Sequence, residues 1–276
     1  MALPMDTILS SLTAALYLVA AGAFFYYLLR GETAARLPIL LLLGGFIVHT
    51  AALASRFSQV GFAAVAVLGE ALLFYSWLMI GVYLLVQLRY HLTVLGGIVA
   101  PLAVLMTLAA FAVGRDSSDI PPGLETFWLP LHVTLAFLGN AVFGLAFAVS
   151  VIYLLQERHL KHKKMTALMK RFPSLESLDR LNYSLLVWGF PLMTLGILTG
   201  SLWAGIHWGD YWSWDPRQIS SAIAWLFYGA LLHGRITAGL RGRRAALLTM
   251  VGFCVVLGYF LWGDAIFPTR HGGRFE

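Results

Sequence analysis

Eight apolar runs dominate the chain, at about residues 7–29, 37–55, 62–87, 92–113, 131–155, 182–202, 216–237 and 245–263. A helix needs roughly 20 apolar residues to cross the hydrocarbon core of a bilayer, and the runs are of that order. Lipid offers no hydrogen-bond partners, so a spanning segment satisfies its backbone internally or within a closed barrel. Runs this long, without period-two alternation, read as helices. The chain is therefore expected to be an all-α integral membrane protein, a bundle of about eight transmembrane helices forming a single domain over residues 1–276. Composition agrees: 12% of the 276 residues are charged, about half the share of a soluble domain. The longest connection between runs, residues 156–181, leaves no room for a separate soluble domain.

The first run has no basic residue before it and is followed by Arg30 and Arg36, which reads as a retained helix rather than a cleaved signal. Cys254, the lone cysteine, excludes an internal disulfide and a CxxC redox pair. Alternate loops divide the cations unequally. One set holds 14 Lys and Arg, including Arg30, Arg36, Lys163, Lys164 and Arg241, and the other holds five, namely Arg56, Arg115, Arg217, Arg270 and Arg274. The positive-inside rule places the first set in the cytoplasm and both termini outside. The net charge of +6 then reports topology, and nucleic acid is not an expected partner.

Prolines punctuate the pattern. Pro38, Pro130 and Pro216 stand where helices begin, whereas Pro101 and Pro191 fall inside runs. The basic stretch over 156–181 reads as an interfacial helix and a turn against anionic lipid. His159 and His162 within it lack a third ligand and are taken as solvated, and His91 is a boundary residue.

Residues 203–218, WAGIHWGDYWSWDPRQ, concentrate Trp203, Trp208, Trp212 and Trp214 in one loop on the expected outer side. Six of nine tryptophans, these four with Trp128 and Trp262, lie at that side. An aromatic belt would decorate both interfaces, so the asymmetry points to an outward-facing site. Asp215, Pro216 and Gln218 read as N-cap, first helical residue and capping-box partner of the next helix. Flat indoles and Tyr211 beside a helix N-terminus make an apolar platform with an anion-friendly edge, which matches a porphyrin with two propionates. Imidazole is a usual axial ligand of iron. His132, two residues into the fifth run, and His271, in the tail, can reach the level of the loop, with His207 inside it as a rival. His49 and His233 lie within the hydrocarbon, where ionisable groups mark sites. Their depths differ by roughly 10 Å at 1.5 Å per residue, and His233 is the preferred ligand, with its partner supplied by another protein. Glu70, also buried, is expected to be protonated or paired with Arg56.

WGDYWSWDPRQ resembles the tryptophan-rich WWD signature of the heme-handling superfamily. With AWLFYGALLHGR after it, the chain resembles the CcsA (ResC) branch of system II cytochrome c biogenesis. GFIVHTAALASRF, GEALLFYSW and LPLHVTLAFLGNAVFGLAF are similar to the family's second, third and fifth helices, so the likeness covers nearly the whole chain. It implies eight spans with both termini outside. His132 and His271 would be the external heme ligands, His233 the intramembrane ligand, and Trp208, Trp212, Trp214 and Asp215 signature residues, with Trp203 and His49 further candidates for heme contact. Arg217-Gln218 departs from the family's usual Lys-Glu.

The resemblance implies non-covalent heme b, carried to the outer face of a bacterial plasma membrane, rather than a thylakoid, and presented to the CxxCH of apocytochrome c for thioether attachment. It further implies a CcsB (ResB)-like partner, together forming a holocytochrome c synthetase, with extracytoplasmic thiol-reducing proteins and membrane lipids as further associates. The alternatives are a CcmC-like heme-delivery subunit, a HemX-like membrane regulator and an unrelated transporter.

Overall fold

The computed structural model describes residues 4–30, 36–115, 126–162 and 171–266, with side chains up to Gly258. The described residues form eight α-helices: α1 (Met5–Arg30), α2 (Arg36–Val60), α3 (Leu68–Tyr90), α4 (Thr93–Val113), α5 (Trp128–Lys161), α6 (Leu175–Trp208), α7 (Pro216–Thr237) and α8 (Gly242–Ile266). Each falls on one of the eight apolar runs. Six of them, α1 to α6, are long and apolar enough to cross a membrane by length and composition. In α7 the apolar run is diluted by Arg217, Gln218, Ser220, Ser221, His233 and Arg235.

The helix ends differ from the sequence reading where polar residues extend them. α5 continues to Lys161 and α6 begins at Leu175, so the interval read as a connection over 156–181 is largely helical at both ends. Ser174 starts α6 by accepting a hydrogen bond from the Ser177 N–H, which satisfies one of the orphan donors of a helix start. α3 loses its expected first turn. Gly61, at φ 76°, and Val67, in an extended conformation, isolate Phe62–Ala66 as a 3-10 helix.

The helices group into two compact units. The first comprises residues 1–120 and 162–173, the second residues 121–161 and 174–276. In the first unit α1 packs on α2 and α4, and α3 on α4. One end of it is closed by charge: Glu70, without exposed surface, accepts from Arg56 Nε at 2.7 Å and from Arg115 Nε and Nη2 at 3.1 and 3.2 Å. The expected Arg56 partner is therefore present, and Arg115 is a second one. Arg115 also reaches Asp6 at 3.4 Å and Ser10 at 3.2 Å, tying α1 and α3 to the end of α4.

In the second unit α5 and α6 form the most extensive helix pair, with α8 against α5 and α7. The α5–α6 contact is antiparallel and runs along small residues. A side chain on Gly139 would meet the Met193 backbone nitrogen at 3.0 Å, and one on Gly196 would meet the Ala136 Cα at 3.0 Å. Gly189 receives the ring of Phe143, which stacks on Tyr228 of α7 with centroids 3.8 Å apart. Without a hydrophobic drive between helices in lipid, such close backbone approach is a main source of helix association.

Candidate functional site

The tryptophan loop joins α6 to α7 at one end of the second unit. Gly209, at φ 81°, terminates α6 in the left-handed conformation that glycine adopts without steric cost. The next helix is started by Asp215, whose carboxylate accepts from the Arg217 N–H at 2.9 Å, with Pro216 at the first helical position. The expected N-cap is formed. The expected capping box is not the bond that Gln218 makes: its Oε1 accepts from the Ser213 N–H at 2.8 Å and the Ser213 hydroxyl at 3.2 Å. Trp214 lies between these residues at φ 54°, a left-handed conformation costly for a bulky residue, and folds Ser213 back over the first turn of α7. Because Asp215 occupies the Arg217 N–H, the anion-friendly edge is narrower than the sequence reading supposed.

The aromatic rings of the loop form two contacts of different kind. Trp203, buried on α6, stacks on His207 at 4.8 Å and meets Trp208 edge-on at 4.9 Å. Trp212 and Trp214 meet edge-to-face at 5.7 Å, and Trp214 is 73% exposed and Tyr211 64% exposed. Exposed Trp214 and Tyr211 thus belong to the same loop end as a stack anchored on buried Trp203.

His132, on the first turns of α5, belongs to the same end. Its Nδ1 lies 2.8 Å from the Gly196 carbonyl oxygen. A carbonyl only accepts, so Nδ1 carries the proton and Nε2 holds the lone pair. Gly196, Gly200, Trp203 and His207 recur at helical spacing and share one face of α6, which sets His132 on the same helix face as the Trp203–His207 stack.

The other histidines stand elsewhere. His233 is exposed on α7, opposite the buried face formed by Ala224, Tyr228, Leu231 and Arg235. His49 is enclosed in the first unit, with no exposed surface, its Nδ1 3.1 Å from Tyr17 Oη and its Nε2 buried without a hydrogen-bond partner. His271 and Trp262 lie outside the residues whose side chains are described. No group of three or more His, Cys, Asp or Glu suited to a metal ion occurs among the described residues.

The residues at the loop end fit a porphyrin in two respects. His132 is held through Nδ1 on a backbone carbonyl, the arrangement by which metal-bound histidines are oriented. The indoles and Tyr211 supply the apolar, flat surroundings.

Sequence reasoning missed the opposite end of the second unit. There Arg235 pairs with Asp179 at 3.0 Å, donates to Asn182 Oδ1 at 3.2 Å, and lies 5.1 Å above the Tyr183 ring. Asp179 also accepts from the Gly242 N–H at 2.9 Å, and Asn182 donates to Ser150 at 2.9 Å. This network ties α5, α6, α7 and α8 together. The only signal for it in sequence is the presence of polar residues inside or beside apolar runs.

Comparison with known proteins shows the family. A family model described as cytochrome C assembly protein matches residues 65–263. The chain is 34% identical over 223 residues to the cytochrome c biogenesis protein CcsA of Chlamydomonas reinhardtii, covering 76% of this chain and 62% of that protein. It is 32% identical over 226 residues to CcsA of Guillardia theta, covering 75% of each. Against CcsA of Prochlorococcus marinus strain MIT 9215 it is 32% identical over 270 residues, covering 88% of this chain and 84% of the relative.

Proposed function

This chain belongs to the CcsA family of cytochrome c assembly proteins, and from that premise we propose that it binds heme b at the tryptophan-loop end of its second unit and presents it to apocytochrome c. The observation that carries the proposal is the hydrogen bond from His132 Nδ1 to the Gly196 carbonyl. It commits Nδ1 to the protein and fixes the ring as metal-bound histidines are fixed, and Nε2 is the nitrogen assigned to iron. Trp208, Trp212 and Trp214, with buried Trp203 behind them, cover the faces of the cargo, and Asp215 fixes the start of α7 beneath it. The second external ligand comes from His271 in the tail, with His207 as the position that replaces it if the tail does not.

His233 serves a separate intramembrane site. Its exposure on α7 suits an iron whose second ligand belongs to another protein, a CcsB (ResB)-like partner that completes a holocytochrome c synthetase. The chain works in a bacterial plasma membrane, with the loop facing outward. Heme is cargo here and not a resident cofactor. Each thioether forms when a cysteine S–H of the CxxCH adds across a heme vinyl group, a step that consumes no oxidant. Extracytoplasmic thiol-reducing proteins keep those cysteines available.

Cells expressing His132→Ala or His271→Ala should mature c-type cytochromes poorly while the variant protein accumulates, and added imidazole should partly restore maturation by occupying the vacated axial position. If His207→Ala is damaging and His271→Ala silent, the second ligand is His207. Undiminished maturation in His132→Ala overturns the site.

A further inference from the structure

Two glycines of α6 in the α5–α6 seam face a ring of α5: Gly189 faces Phe143, and Gly200 faces a polar one. Ala136 and Gly139 of α5 face Gly196 and Met193 of α6 through backbone-to-backbone contact. One turn further along the same register, Gly200 faces a histidine. A Cβ built on Gly200 would lie 2.5 Å from His132 Cε1, 2.7 Å from Nδ1 and 3.3 Å from Nε2. Distances under 3.0 Å are not sustained by real carbon atoms, so something must move. The obstructing group is an imidazole with two side-chain torsions, tethered by its bond to the Gly196 carbonyl. To yield it must turn about those torsions, which moves Nδ1 relative to the Gly196 carbonyl and Nε2 with it.

We propose that Gly200 is a positioning residue for heme ligation: its missing side chain is the slot that holds the His132 ring, with Nδ1–H on the Gly196 carbonyl and Nε2 presented to iron. This rests on the heme reading above. The three parts of the slot come from one stretch of α6. Gly196 supplies the acceptor, Gly200 supplies the space, and Thr199, whose hydroxyl donates to the Leu195 and Gly196 carbonyls at 2.7 and 3.1 Å, places a second donor on the same acceptor. That arrangement fixes the ring plane and the tautomer together. An alanine at 200 would leave the histidine in the sequence yet displace its ligand nitrogen.

The test is a double-mutant cycle on purified full-length protein, comparing wild type, Gly200→Ala, His132→Ala and the double variant, with Gly139→Ala as a seam control. Accumulation, heme per protein and the spin state of the iron are read with and without imidazole. Gly200→Ala is expected to lose heme several-fold or shift low-spin iron toward high-spin, and imidazole should reverse the change. Added to His132→Ala it should do nothing further, either to heme or to accumulation, because the ring it collides with is gone. Gly139→Ala should lower accumulation and leave the spectrum of the surviving protein unchanged. A wild-type spectrum in Gly200→Ala, or losses that add to those of His132→Ala, overturns this inference alone. Wild-type protein without heme overturns the heme reading and the inference with it.

Discussion

The two ends of the second unit use polar residues in opposite ways. At one end Arg235, Asp179, Asn182, Ser150 and the Gly242 N–H are joined to one another, and Arg235 and Asn182 are almost wholly buried. At the other, His132 commits one nitrogen to the protein, and Trp214 and Tyr211 stand largely exposed. The first arrangement closes on itself and holds four helices. The second stays open toward whatever lies beyond the loop. Buried charge and exposed aromatic surface are both unfavourable in water alone; here the first is compensated within the chain, and the proposed heme site assigns the compensation of the second to the cargo.

Breaking the closed end should have the largest effect on the fold and the smallest on the site. Asp179→Ala leaves the Arg235 guanidinium without its countercharge and removes the acceptor of the Gly242 N–H. Loss of one partner of a buried pair costs about 3–5 kcal/mol, so the variant should accumulate poorly and unfold at lower temperature in detergent. Heme per surviving protein should match wild type. Reduced heme in well-folded Asp179→Ala would join the two ends and erase the contrast.

Breaking the open end should do the reverse. Replacing Trp212 and Trp214 together by Leu keeps apolar character and removes the flat π surfaces. Heme per protein should fall several-fold with accumulation near wild type. Normal heme content in this variant would mean that the indoles anchor the loop in the interface, as belt tryptophans do, and do not hold the ligand.

The smallest effect belongs to the joint between loop and helix. Asp215→Ala removes the cap on the Arg217 N–H and should cost about 1 kcal/mol, whereas Asp215→Asn or Asp215→Ser should be tolerated. Thermal unfolding of the three variants checks the order. Equal damage from all three would assign Asp215 a role that its charge, and not its capping oxygen, performs.

How much of this is legible in sequence depends on how local the cause is. The eight helices follow from runs of bilayer length, and the Asp215–Pro216 start follows from adjacent residues. Gln218 was recognisable as a capping residue, but its partner was not, because Ser213 comes within reach only when Trp214 adopts a left-handed backbone. His132 was recognisable from its type and its depth. Its orientation depends on the register between α5 and α6, which brings residues 64 positions apart to 2.8 Å. Arg235 and Asp179 are similarly distant in sequence, 56 positions apart, and nothing local marks them as a pair. Glu70 lay between these cases: Arg56 was a foreseeable partner 14 positions away, and Arg115, 45 positions away, was not.

Retention of heme at the loop end through His132 is measured by the pyridine hemochrome and absorption spectrum of the purified chain, with His132→Ala beside it. Wild-type protein from heme-supplied cells should show a Soret band and a b-type hemochrome, since residues 1–276 contain no CxxCH to hold heme covalently. His132→Ala should lose much of that heme and regain it in imidazole. Folded wild-type protein carrying no heme, or a His132→Ala variant with an unaltered spectrum, would mean that the loop end does not hold heme through His132.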